Sequence, residues 1–372
     1  METKRIQTVV DLKQLQDNMR AIRNFLPAGV RIIVSLAGNA YGLGAEICAP
    51  ILEPFVDAFA VSDPAEADAV LTAITGKPIL VLGDADRTEL EFMLRRGIRF
   101  SVWKEEQAQA ISEKAAELGL QAYLHLAVDL GLSDVGMPTT WDSADMVARI
   151  AALPGLQIEG IYSGFPYSGE AHRQEDRRQL DRFLRFLGRL KERGIEPLYV
   201  HLADSEHAMA LPESRLSAVR LASAVYGILQ AETEGRQLTR PILTMTGHLT
   251  EVKEVRPGTS IGEGGAYTAE YSMTIGLVSC GYGDGYPGLL SGCGEVLIRG
   301  RRSPILGNIG IDRMMVDVSE IPDARPGDTV TLVGRDGAEE ITLEELSRRT
   351  GLSHRRIFFR IAAPSVKKYV FG

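Results

Sequence analysis

Lysine is scarce in this 372-residue chain: only nine of its 41 basic residues are lysine, namely Lys4, Lys13, Lys77, Lys104, Lys114, Lys191, Lys253, Lys367 and Lys368. Few amines are therefore on hand for imine or amine-base chemistry. Cysteine is equally sparse. Cys48, Cys280 and Cys293 form no metal-ligand spacing, and an odd number of thiols implies no disulfide framework and a reduced environment. No uncharged apolar run is long enough to cross a bilayer. The opening METKRIQTVVDLKQL has no apolar core of a secretory signal and enters an amphipathic pattern directly, so a soluble cytoplasmic protein is expected. Positive charge is in deficit, with 49 acidic residues, a net charge of -8 and a pI near 5.5, which disfavours nucleic acid as a partner. What is present is the composition of a globular protein, 45% hydrophobic and 24% charged. The length exceeds the usual single core, so two domains, or a barrel with an appendage, are expected.

Eight short apolar runs alternate with segments of helical period between about residues 30 and 226: Arg31 to Ala37, Ala58 to Ser62, Ile79 to Leu82, Ile98 to Trp103, Gln121 to Val128, Ile158 to Ser163, Leu198 to Ala203 and Ala218 to Ala224. Eight strand-helix units in roughly 190 residues fit an α/β fold of the (β/α)8 TIM-barrel type better than an open sheet. Ser62-Asp63-Pro64 and Trp141-Asp142-Ser143 resemble helix N-terminal caps. Glu175 to Arg193 reads as the longest helix, with Leu180, Phe183, Leu184, Phe186, Leu187 and Leu190 on one stripe. From residue 237 the texture becomes short β-rich runs broken by Gly and Pro, with one late helix at Leu343 to Arg349. The expected division is a barrel over 1–236 and a C-terminal β domain over 237–372.

The functional face of such a barrel lies at the C-terminal ends of its strands. There the sequence places Asn39-Ala40-Tyr41-Gly42-Leu43-Gly44 after the first run, Asp129 and Asp134 after the fifth, Gly164 after the sixth, His201 to Ser205 on the seventh, and Arg220 through Tyr226-Gly227 on the eighth. Gly-rich loops of the second domain at Glu263 to Tyr267, Gly281 to Tyr286 and Gly310 to Asp312 are candidates to cover a barrel mouth. Asp284 and Tyr286 are read as fixing the GYGDGY turn, and Asp129 as shaping the fifth loop.

These motifs, in order and over essentially the whole chain, resemble the alanine racemase family, fold-type III enzymes that use pyridoxal phosphate. The resemblance implies an N-terminal barrel, a C-terminal β domain, and a head-to-tail homodimer whose sites are completed by the partner's second domain. It also implies that Tyr41 and Ser205 contact a cofactor phosphate with backbone N–H groups near Ala222 and Ser223, and that Arg220 faces the pyridine nitrogen. His201, Tyr282 and Asp312 join them as candidate substrate- or cofactor-binding residues; packing of the barrel rim is the competing account of all these positions.

The catalytic positions depart from the family pattern. Ala37 stands where the Schiff-base lysine belongs, and by this reading none of the nine lysines lies at the mouth. A methyl group forms no imine. Glu263 stands at the position of the catalytic tyrosine, Ala127 and Asp134 replace a lysine and the arginine it orients, and Gly164 and Gly310 replace a histidine and a cysteine. Glu263 and Asp134 are the candidate catalytic residues. If they converge with Asp129, Asp204 and Asp312, the mouth becomes acidic, some carboxyl pKa values rise, and a cationic, amine-bearing substrate is favoured. No spacing specifies a metal site.

The sequence thus points to a racemase-like isomerase or epimerase that moves a proton on an amino-acid-derived substrate without a lysine Schiff base. Pyridoxal phosphate, if retained, would be held non-covalently. The alternative is a non-catalytic ligand- or partner-binding homologue.

Overall fold

In a computed structural model, which describes residues 5–74, 76–166, 169–230, 233 and 235–371, the chain divides into two compact units. One comprises Leu15–Ala40 and Gly44–Arg240; the other comprises residues up to Gln14, Tyr41–Leu43 and Pro241 onward.

The first unit is a closed barrel. After the N-terminal strand β1 (Gln7–Asp11), which belongs to the other unit, come the eight parallel barrel strands β2 (Arg31–Ser35), β3 (Ala58–Val61), β4 (Ile79–Val81), β5 (Arg99–Val102), β6 (Ala122–Ala127), β7 (Leu156–Tyr162), β8 (Tyr199–His201) and β9 (Ala218–Leu221). β9 returns to β2 through Ile33 opposite Arg220 and Val34 opposite Leu221. All eight apolar runs are barrel strands, most of them trimmed by one or more residues, whereas β7 starts two residues before its run. Ile33, Ala58, Ala60, Leu80, Tyr199 and Ala218 pack as one apolar cluster. Burying each large member contributes roughly 1.5–3 kcal/mol.

The helices around the barrel begin at polar caps. Asp63 accepts from the Glu66 amide to start Pro64–Ala73, as the sequence suggests. The cap of Trp141–Ala151 is Thr140, which accepts from the Ser143 amide, rather than a residue of Trp141-Asp142-Ser143. The long helix runs Arg173–Lys191 and buries Leu180, Phe183, Phe186 and Leu190. Leu184, expected on that stripe, is 43% exposed, because the buried face is centred on Gln179, Phe183 and Leu190 and Leu184 lies past its edge.

The second unit is built on a nine-stranded sheet. Its longest strand, β10 (Leu243–Val255), pairs antiparallel with β1, with Met273–Val278 and with Thr329–Asp336. β1 also runs parallel to the last strand, Lys367–Val370. A second late helix, His354–Ala362, follows the expected Leu343–Thr350 and buries Ile357, Phe358 and Ile361. The sequence analysis missed it. Among the described residues no helix is long and apolar enough to cross a membrane.

Candidate functional site

The C-terminal rim of the barrel starts with an unusual turn. Gly38, Asn39, Ala40 and Tyr41 are consecutive left-handed residues, with φ of 65°, 56°, 55° and 56°. Three of them carry side chains, and each such residue costs about 1–3 kcal/mol unless its surroundings enforce it. Glu66 supplies part of the enforcement: one carboxylate oxygen accepts from the Asn39 amide at 3.0 Å, and the other from Ser62 at 2.9 Å. Asn39 then uses its own side-chain oxygen to accept from Ala45 at 2.7 Å. Ala37 lies at the start of this turn, two residues past β2.

A polar chain runs through the barrel interior. Arg220 donates to His201 Nδ1 at 3.0 Å and to the Ser163 carbonyl at 3.2 Å. His201 Nε2 and His125 Nδ1 are 3.0 Å apart, and His125 Nε2 is 3.4 Å from Glu159 Oε2. Arg99 closes the series on Glu159 at 3.0 Å. The Tyr162 ring stacks on His201 with centroids 5.1 Å apart, and its hydroxyl meets Ser101 at 3.0 Å. Arg220 lies 5.2 Å from the same ring. Burial lowers the pKa of both imidazoles, and the Arg220 charge lowers His201 further, which favours the neutral form of each ring. Glu159 is opposite: burial alone would raise its carboxyl, but hydrogen bonds from His125 and Arg99 hold it at about 2.

Around this chain, Ser205 Oγ accepts from the Ala222 amide at 2.9 Å. That amide, expected to be open to an anion, is thus taken by Ser205, whose own hydroxyl hydrogen remains to donate. Ser223 is buried beside it. Gly164 borders Arg220: a Cβ there would lie 3.2 Å from Leu132 and 3.8 Å from the guanidinium. Asp134 is exposed on the loop after β6, and its charge reaches Tyr162, whose phenol is pushed up first by burial and further by that carboxylate. Asp129 accepts from the Gly131 and Ser133 amides, and Asp204 caps the helix Ser205–Ala210 by accepting from His207.

The rim also carries a lysine. Lys104 stands at the N-cap position of the helix Glu105–Leu118, two residues past the end of β5, and is exposed.

The second unit brings Glu263 and Asp312 together on a groove of about 500 Å³, with Lys253, Arg313 and an apolar floor that includes Val255, Ile275 and Met315. Glu263 is exposed. Asp312 pairs with Arg313 through both carboxylate oxygens, at 2.9 and 3.0 Å. That pairing lowers the Asp312 carboxyl, the reverse of the rise expected from crowded carboxylates. Tyr282 is exposed; its amide donates to the Gly310 carbonyl at 2.9 Å, which ties its loop to the one bearing Asp312. Asp284 accepts from the Gly281 amide and pairs with Arg5. Tyr41 belongs to this unit, where Gly42 passes so close to the backbone of Ala363 that a Cβ would meet its nitrogen at 2.8 Å. Among the described residues no group of His, Cys, Asp and Glu could hold a metal ion.

Sequence reasoning missed His125, Glu159, Arg99 and Tyr162. A signal was available: Glu159-Gly160 puts a charge and a glycine inside an apolar run, the mark of a bulge in a buried strand.

A closed eight-stranded parallel barrel with a strand-rich C-terminal unit defines an α/β-barrel protein, and an arginine–histidine pair lies toward its strand ends, the face on which such barrels carry their sites. Residues 10–230 match the family "Alanine racemase, N-terminal domain" and residues 242–369 match "Alanine racemase, C-terminal domain". The chain belongs to the alanine racemase family. It is 33% identical over 345 residues to the alanine racemase of Desulforamulus reducens, covering 92% of each chain, and 30% identical to that of Methanococcus maripaludis, covering 97% of each. Among solved structures it resembles alanine racemase from a D-cycloserine-producing Streptomyces lavendulae with a TM-score of 0.93 at 28% identity, covering 100% of this chain and 98% of the other.

Proposed function

We propose that the protein is a racemase-like isomerase or epimerase that moves a proton at a carbon next to a carboxyl or carbonyl group of an amino-acid-derived substrate, without a lysine Schiff base. The observation that carries this reading is the Arg220 guanidinium, oriented by His201 and the Ser163 carbonyl at the strand ends. With the Ser205 hydroxyl, it would hold an anionic group of the ligand. Charge-assisted bonds of this kind are the stronger and more directional ones. His201, fully buried, acts through Arg220.

Position 37 does not fit a covalently held pyridoxal phosphate, because alanine offers no amine there. Arg220 and Ser205 retain partners for a ring nitrogen or a phosphate, so the same cofactor fits only as a non-covalent ligand. In the proposed chemistry Glu263, supplied by the β domain of a second copy, accepts the proton from the substrate carbon, and Asp134 passes a proton taken up from solvent to the opposite face, after which Glu263 releases its own to solvent. The exposed carboxylates suit a substrate bearing an amine cation.

A second reading, a binding protein without catalysis, is favoured by one observation: Asp129, Asp204, Asp284 and Asp312 are all engaged by their own loops. Solvent deuterium incorporation into a panel of amino acids and cationic derivatives separates the two. The isomerase reading expects exchange that falls at least ~100-fold in Glu263→Gln, the scale of a positioned general base. Binding without exchange in any compound favours the second reading. An aldimine absorbance with added pyridoxal phosphate that borohydride fixes onto a lysine, Lys104 being the one at the rim, would overturn the non-covalent premise.

A further inference from the structure

We propose that Glu159 is a positioning residue for Arg220, acting from the deep end of the barrel through His125 and His201.

The register of two strands carries the argument first. Between β6 and β7, Leu124 faces Ile158 and His125 faces Gly160, so Glu159 is the extra residue of a β-bulge. Bulges locally bend a strand and re-aim side chains. Here the bulge directs a carboxylate toward the two imidazoles, with Gly160 immediately after it. A Cβ on Gly160 would lie 2.3 Å from His125 Nδ1, so the imidazole occupies the space a side chain would need. An isolated carboxylate in such a place is expensive. Arg99, the first residue of β5, offsets that cost with contacts at 3.0 and 3.3 Å.

The direction of the hydrogen bonds carries it further. A guanidinium has donors only, so His201 Nδ1 must accept from Arg220. A neutral ring that accepts at Nδ1 holds its hydrogen on Nε2, and His201 therefore donates to His125 Nδ1. By the same logic His125 carries its hydrogen on Nε2 and donates to Glu159. The chain has a donor-only group at one end and an acceptor-only group at the other, so a single arrangement of hydrogens satisfies every member. Without the carboxylate, His125 is free to carry its hydrogen on Nδ1. That hydrogen would face His201 Nε2, force it to accept, and move the His201 hydrogen to Nδ1, donor against donor with Arg220. Glu159 thus determines whether the guanidinium keeps its direction at the strand ends.

The test needs no ligand and stands apart from the proposed activity. Nitrogen-15 spectra of histidine-labelled full-length protein are expected to show His125 and His201 neutral and protonated on Nε2. Glu159→Leu should abolish that single pattern in both rings, whereas Glu159→Gln, whose amide oxygen still accepts, should restore it. An imidazolium or an Nδ1–H tautomer at either ring in the unmodified protein would overturn the proposal, as would a Glu159→Leu protein with both rings unchanged. Should Glu159→Leu fail to fold, the unmodified spectrum and Glu159→Gln decide alone.

Discussion

The barrel interior and the groove of the β unit organise charge by different means. In the barrel, Glu159, His125, His201 and Arg220 are joined by hydrogen bonds of fixed direction away from solvent, and one change of register or tautomer affects all of them. In the groove, Asp312 and Arg313 neutralise each other on adjacent residues, with side chains 45% and 62% exposed. Low dielectric and enforced geometry make the first arrangement strong and brittle, and solvent makes the second weak and tolerant. The proposed chemistry uses both regions: the interior aims a rigid cation, while the exterior keeps Glu263 accessible.

The sharpest way to break the comparison is Gly160→Ala. Its Cβ would fall 2.3 Å from a ring that is itself held at both nitrogens, so the neighbour has nowhere to move. Overpacking of this kind costs about 3 kcal/mol. Denaturant unfolding measures it, and a loss under about 0.5 kcal/mol, within the usual range of surface substitutions, would mean that the ring does not sit against Gly160.

Acid should expose the same brittleness in two stages. Both imidazoles have folded pKa values below their ordinary 6.5, so the unfolded chain takes up protons first and stability falls as pH drops through about 6.5. Glu159 is held at about 2 against an ordinary 4.5, so its stabilisation is complete above 4.5 and is lost as pH falls from there toward 2. On the acid side, stability measured against pH should decline from neutrality through both windows. Glu159→Gln should remove its own contribution to the lower stage, and an unchanged profile would contradict the pairing.

The limits of the sequence follow the same division. Strand periodicity located all eight barrel strands because each is a short buried run bounded by helical segments. Rim motifs such as Val200-His201 and Arg220 were legible because they lie toward the C-terminal ends of recognisable strands. Glu159 was legible only as a charge beside a glycine inside an apolar run; its place against β6 was not, since a bulge shifts one residue against a neighbouring strand and no single-strand pattern records the partner. The helix His354–Ala362 escaped because its buried Ile357, Phe358 and Ile361 lie among Arg355, Arg356 and Arg360, which break up its short apolar stripe. Pairing of Asp312 with Arg313 was open to the sequence as adjacency, yet only geometry shows both carboxylate oxygens engaged.

At the barrel rim, Glu66→Ala sharpens the comparison at intermediate size. The substitution takes away the acceptor for two amides, Asn39 and Ser62, that help pin the left-handed turn. A net loss of about 1–2 kcal/mol is expected, since solvent can replace part of what the carboxylate supplied at this half-buried position. Limited proteolysis should show faster cleavage near residues 37–44, and equal resistance in both proteins would mean that Asn39 and the turn's own backbone bonds suffice.

The groove should respond least. Asp312→Asn removes one partner of an adjacent, solvent-screened pair, and Arg313 then faces water rather than a buried void. The unfolding midpoint is therefore expected to stay unchanged at both low and high salt, in contrast to every interior substitution above. A clear loss of stability that salt does not alter would place Asp312 in the same class as Glu159. The groove would then be an engaged surface whose carboxylate is desolvated in the protein as it exists in solution, and the division between a rigid interior and a tolerant exterior would fail at the point where the proposed chemistry depends on it.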